Sequence, residues 1–535
     1  MLFRILFLCF LLIPLVFETA PVSPADGAPI GATPIDTTGV RPLLDKWEIE
    51  LGRLDRDFKA ALWILYTTGE LGELPARDAA RMEFLNDPVI SDQLSQWAGL
   101  IRDPLLNRKI EMLHRAVLEA RIDNYGRLYE LMDELSEAQT NFRAVFEGRE
   151  TEDGELGFIL RHEKDRERRK GAFLARATVG DKIGGDLAEL FASRAKAAAE
   201  LGYGDYYTLR LALDEIQPEK LREILMMLAE MTRPAFDLFL AKQRAALGVE
   251  TIEAWDLLYD SSGITAAIES YLSPDSMVVR TWRTYRGLGI DLDTIPITMD
   301  LEPREGKSQH AMCVAVSPPE DVRVLANARE GLLSSELMLH EMGHAVHAVS
   351  YRQAGHLLQD WPSGSFGEGI GEYFGQLVYT KEWLVAVAGV PESLAVSYLK
   401  WRGDRRLFNI RWYLAALEFE ERAYQNPDQD LSELYWEMLG RYLMIPEHPE
   451  VQVWAQIPHF VTHPVYLQNY ILADLFAAQL RFYFMKRFGR LLNHSEIGTI
   501  LAEEFFAKGA SLPGEVLLRH LTGSALDPEP FAGEF

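Results

Sequence analysis

At 535 residues, with 54 lysines and arginines against 80 aspartates and glutamates and a formal charge of −26, the chain is too acidic to hold nucleic-acid phosphates by charge. Its length exceeds what a single hydrophobic core usually serves, so two subdomains are expected. Two cysteines, Cys9 and Cys313, cannot supply a disulfide framework, and the fold must rest on apolar burial.

In chain order, Arg4 precedes an apolar run over 5–17, and a Pro-, Ala- and Gly-rich stretch continues through Gly39. This predicts a signal peptide over 1–20, a flexible linker over 21–39, and an exported product, periplasmic or secreted. Glu18 stands where a small residue is wanted and Pro21 follows Ala20, so a retained membrane anchor stays open as a second reading. No other stretch is long and apolar enough to span a bilayer. Residues 40–290 read as successive amphipathic helices rich in Leu, Ala, Glu and Arg, a helical N-terminal lobe ahead of a catalytic lobe over 291–535. Within it, Pro218–Leu247 predicts a helix kinked or broken at Pro234, and 149–157 predicts a surface loop. Residues 294–301 and 311–316 favour strands and predict a small antiparallel sheet. An edge of that sheet could pair with an extended peptide; a plain structural hairpin is the other reading.

The next element carries the chemistry. Residues 340–344 read His-Glu-Met-Gly-His, in a run with no proline and with Ser334 and Ser335 as candidate caps. On a helix, positions four apart share a face, so His340 and His344 can turn ring nitrogens to one zinc ion with Glu341 beside them as general base. Zinc needs a third protein ligand. Glu368, twenty-four residues past His344, opens a second helical pattern and completes the set, although Ser365-x-x-Glu368 also fits a capping box. Glu372, one turn on, suits the outer nitrogen of a ligating histidine, or is simply an exposed helix carboxylate. Downstream, 459–476 brings His459, His463, Tyr466 and Tyr470, as oxyanion donors or as ordinary core aromatics.

These segments together resemble the gluzincin peptidases. The zinc motif with a glutamate twenty-four residues on is similar to the angiotensin-converting-enzyme family of peptidyl dipeptidases. His344-Ala345-Val346-His347 and the spacing of Tyr466 and Tyr470 are closer to the thimet oligopeptidase family. His310-Ala311 resembles a substrate-holding pair of the first family, and 194–209, containing Gly-Tyr-Gly-Asp-Tyr-Tyr, resembles a helical segment found in both. The resemblance implies a mostly α fold of two helical lobes around a deep zinc-containing channel, with a small antiparallel sheet near the active site. It implies zinc as cofactor, oligopeptides as substrate, substrate contacts from His310 and Ala311, and support for the ligands from Glu372 and His347. A monomer is expected. Either His459 or His463 would face the metal. The chain would then be an oligoendopeptidase or a peptidyl dipeptidase; converting-enzyme relatives hold the substrate carboxylate with a lysine near the downstream histidine, where this chain has Gln456. The alternative class is a non-catalytic peptide-binding protein that keeps the fold, which predicts a missing catalytic residue. None is missing here.

Overall fold

The computed structural model describes residues 37–273, 276–329 and 331–535; the expected signal segment and most of the linker lie outside them. These residues are mostly helical, as the apolar periodicity predicts. The site is framed by α1 (Val40–Thr68), α2 (Leu128–Asn141), α3 (Arg166–Glu200), α4 (Leu332–Val349), α5 (Gly364–Gly375), α6 (Glu392–Gln425) and α7 (Leu467–Phe488). Among the described residues, no helix is long and apolar enough to cross a membrane.

Two large apolar cores hold these helices, and each draws on residues from both sides of position 290. One joins the start of α1 to α4 and α5. The other joins α2 and α3 to the second half of α6. Helix α7 belongs to both. Leu467, Ile471 and Leu475 enter the second core while Phe476, Leu480 and Phe484 enter the first, so the start of α7 sits where the cores meet.

Among the described residues there are five strands: β1 (Ala144–Phe146), β2 (Arg149–Thr151), β3 (Ile297–Asp300), β4 (Met312–Ser317) and β5 (Asp321–Leu325). β1 and β2 form a small antiparallel pair. The sheet beside the His340–His344 motif contains the expected antiparallel pairing but is not purely antiparallel. Its order is β3-β5-β4; β5, absent from the sequence reading, lies between the two expected strands, pairing parallel with β3 and antiparallel with β4. β4 is therefore an edge strand, packed on α1 through Met312, Val314 and Val316 against Phe58, Leu62 and Tyr66.

One local expectation also fails, and of the kink or break expected at Pro234 the break is not there. Segment 149–157 is β2 followed by the helix Asp153–His162, because Thr151 and Leu156 are buried beneath its charged surface. The helix Pro218–Leu247 runs unbroken through Pro234. Pro234 and Glu230 are both exposed, so the carbonyl that loses its partner can turn to water.

Candidate metal centre

Helix α4 starts after Gly331, whose φ of 102° turns the chain into it, so Ser334 and Ser335 lie inside the first turn and do not cap it. The four-residue spacing puts His340 and His344 on one face, with their Nε2 atoms 2.9 Å apart. Helix α5 brings the third donor. Ser363 caps it by accepting the N–H of Phe366 at 3.3 Å, worth about 1 kcal/mol, and this frees Glu368 from the capping-box alternative. Glu368 Oε2 lies 3.5 Å from His340 Nε2. Glycines let the two helices come this close. A Cβ on Gly371 would stand 2.6 Å from His340 Nε2 and 2.7 Å from His344 Nε2, and one on Gly343 would stand 2.7 Å from Phe374.

Among the described residues, His340, His344 and Glu368 are the group of His and Glu side chains whose ligating atoms all fall within 4.8 Å of one another. The donor set fits zinc. Separations of 2.9 and 3.5 Å bracket the roughly 3.3 Å between tetrahedral donors at about 2.05 Å from an ion. Glu368 Oε1 is buried without a hydrogen-bond partner, a costly state for a carboxylate oxygen that a cation would relieve.

The electrostatics favour a cation too. Burial alone would lower the pKa of His340, but the Glu368 hydrogen bond and the charges of Glu341, Glu372 and Glu368 carry it up to about 10. His344 is pushed well down by burial and by His340 and His347, so its ring stays neutral with a lone pair to offer. Burial raises Glu341 to about 7, against the pull of His340 and of the Cys313 backbone N–H. That N–H belongs to the outer edge of β4, which therefore borders Glu341.

Glu372 lies behind His340, its Oε1 3.6 Å from Nδ1. It begins a polar chain. Gln376 donates to Glu372 at 2.7 Å and to Asp474; Arg481 donates to Gln376 at 2.9 Å and to Glu534 at 2.7 Å; Arg406 donates to Glu534 at 2.5 Å. His347, expected to support the ligands, does not bond to them. Both its ring nitrogens lack partners, and the ring packs against Tyr351 and Phe506 at 5.0 and 4.9 Å.

On the other side, His459 Nε2 meets the Tyr470 hydroxyl at 3.2 Å, and His463 Nδ1 pairs with Thr462 at 2.7 Å. The Tyr466 hydroxyl is buried without a partner. Burial, with Glu368 nearby, raises both phenols above their usual range, so each keeps its proton. All four side chains line a cavity of about 960 Å³, which His310 also borders; Ala311 is half-buried just before β4.

The sequence reading missed three things. Trp361 stacks on His344 at 4.6 Å and 27°, with no motif to announce it. Gly371 admits the histidine rings, and the glycine density of 364–375 was the available signal. The third is the turn before α7, where Val465 adopts a φ of 56°. A β-branched residue there is a true outlier, costing about 1–3 kcal/mol. Glu420 accepts its N–H and Gln468 donates to its carbonyl, each at 2.7 Å. Neither the protein-family models nor the curated proteins compared with this chain gave a match.

Proposed function

We propose that this chain is a zinc-dependent peptidase, of the gluzincin type its motifs resemble, that hydrolyses oligopeptides entering through the cavity lined by His459, His463, Tyr466 and Tyr470. The observation that carries the reading is the convergence of His340, His344 and Glu368 within 4.8 Å, next to Glu341. Zinc held by these three would supply a Lewis acid that polarises the scissile carbonyl and makes water more acidic. Glu341 takes the proton of the attacking water on its carboxylate and passes it to the leaving nitrogen. Tyr466 donates its free hydroxyl to the oxygen that gains charge, and Tyr470, oriented by His459, stands beside it. The outer edge of β4 offers an extended peptide backbone hydrogen bonds next to Glu341, which favours affinity over side-chain selectivity.

Internal cleavage is favoured over release of C-terminal dipeptides, because the cavity's cations are already engaged. Lys307 donates to the carbonyls of Asp300, Glu302 and Ala326, and Arg176 pairs with Asp153. Neither is left over for a substrate carboxylate.

The test is mass spectrometry of an unstructured peptide mixture incubated with the protein, with and without a zinc chelator, beside Glu341→Gln. Chelator-sensitive internal cuts support the reading. Release of C-terminal dipeptides would reassign it as a peptidyl dipeptidase, and intact peptides in the presence of bound zinc would refute hydrolysis.

A further inference from the structure

The segment that carries His459, His463 and Tyr466 is held by buried side chains from three helices. Arg194, on α3, donates to the carbonyls of Phe460 and Val461, each at 2.6 Å. Glu420, on α6 and fully buried, accepts the N–H of Val465; Gln468, on α7 and also fully buried, donates to the carbonyl of the same residue. Both backbone polar groups of Val465 are thus fixed by side chains, in a conformation its own sterics oppose. Such a conformation persists only where the surroundings over-determine it, and it tends to occur where geometry serves function.

Stability does not account for this arrangement. Glu420 Oε2 is buried with no hydrogen-bond partner, so the carboxyl group is itself costly to fold. What the turn does determine is the direction of the next residue, Tyr466, whose hydroxyl is buried without a partner and lies within electrostatic reach of Glu368.

We infer that Glu420 and Gln468 form a backbone clamp that forces Val465 into the left-handed conformation and thereby aims the Tyr466 phenol at the metal centre. They are positioning residues, and the inference rests on the reading of Tyr466 as oxyanion donor. An oxyanion donor acts only if it is fixed before charge develops. A misplacement of about 1 Å from a remote change can cost on the order of a hundredfold in rate.

The experiment uses the full chain with 3-fluorotyrosine in place of tyrosine, the Tyr466 fluorine resonance being assigned by its loss in Tyr466→Phe. In the unaltered chain this resonance is single and narrow, and it moves when zinc is added. Glu420→Ala shifts it toward the solvent-exposed value, abolishes its response to zinc, and lowers kcat by roughly ten- to a hundredfold with KM and zinc affinity within about twofold. Glu420→Gln, whose amide oxygen accepts the same N–H, restores the resonance and the rate. In a Tyr466→Phe background Glu420→Ala costs nothing further, as expected of residues acting as one unit. An unmoved, zinc-responsive resonance in Glu420→Ala overturns the inference. Should that variant fail to fold, Gln468→Leu must displace the resonance and Val465→Gly, which accepts the conformation without strain, must leave it in place; the reverse overturns the inference equally. If the resonance behaves as stated while the unaltered chain cuts no peptide, the clamp stands and the peptidase reading alone falls.

Discussion

His340 turns its Nδ1 toward Glu372, 3.6 Å from Oε1, while its Nε2 lies 2.9 Å from that of His344. The first separation is longer than a hydrogen bond, so Glu372 acts on the ring through its charge. Outer partners of ligating histidines typically contribute about ten- to a hundredfold to metal affinity. Glu372→Ala should weaken zinc binding by roughly that factor, and Glu372→Gln, which keeps shape and loses charge, should show most of the effect. Competition titration against a chromophoric chelator measures both.

Gly371→Ala should abolish metal binding while leaving the helices folded. The added Cβ would stand 2.6 Å from His340 Nε2 and 2.7 Å from His344 Nε2, inside the space an ion would need. Elemental analysis after dialysis should find less than about a tenth of an equivalent of zinc, with the far-ultraviolet circular dichroism unchanged. Full occupancy in this variant would place the metal elsewhere.

The two tyrosines should not be equivalent. Tyr466 has a free hydroxyl and Tyr470 shares its own with His459. Tyr466→Phe should lower kcat by on the order of a hundred- to a thousandfold, and Tyr470→Phe by distinctly less. Glu341→Gln should remove nearly all turnover while zinc stays bound. Steady-state kinetics on a quenched fluorescent peptide, with zinc quantified in each variant, separates these outcomes.

Glu420 gives the stability of the chain a pH dependence of known sign. Burial raises it to about 8, against the pull of the Val465 N–H, Arg194 and Arg210, whereas the unfolded value is 4.5. The unfolded state therefore ionises first, and folding loses stability as pH climbs from about 4.5 toward 8, by roughly 1.4 kcal/mol for each pH unit. Glu420→Gln removes that loss. Its melting temperature should match the unaltered chain near pH 4 and exceed it increasingly up to about pH 8. A constant difference across the range would show that Glu420 does not titrate there.

Legibility followed the range of the interaction. The helix of His340 and His344 is readable because four-residue spacing alone aligns the two, and the helix bearing Glu368 because its period and flanking residues announce it. β5 was passed over because its five residues mix charged with β-branched types and its role depends on a parallel partner distant in sequence. The support given by Trp361, Glu420 and Gln468 left no trace in spacing, since each acts across tertiary contacts. His347 misled in the opposite direction. Its place in the motif suggested a ligand neighbour, while the helix turns it into an aromatic pocket.

The polar chain that begins behind His340 ends at Glu534, where Arg481 and Arg406 converge on one carboxylate and the Arg406 guanidinium lies over the Phe531 ring. The candidate metal centre and the segment around Glu534 are thus mechanically one object. A protease nick after Pro530 or a neutralising replacement of Glu534 would release two guanidinium groups next to Gln376 and slacken the carboxylate backing of a candidate ligand far away in sequence. Preparations differing only around Glu534 would then differ in how much metal they retain through purification.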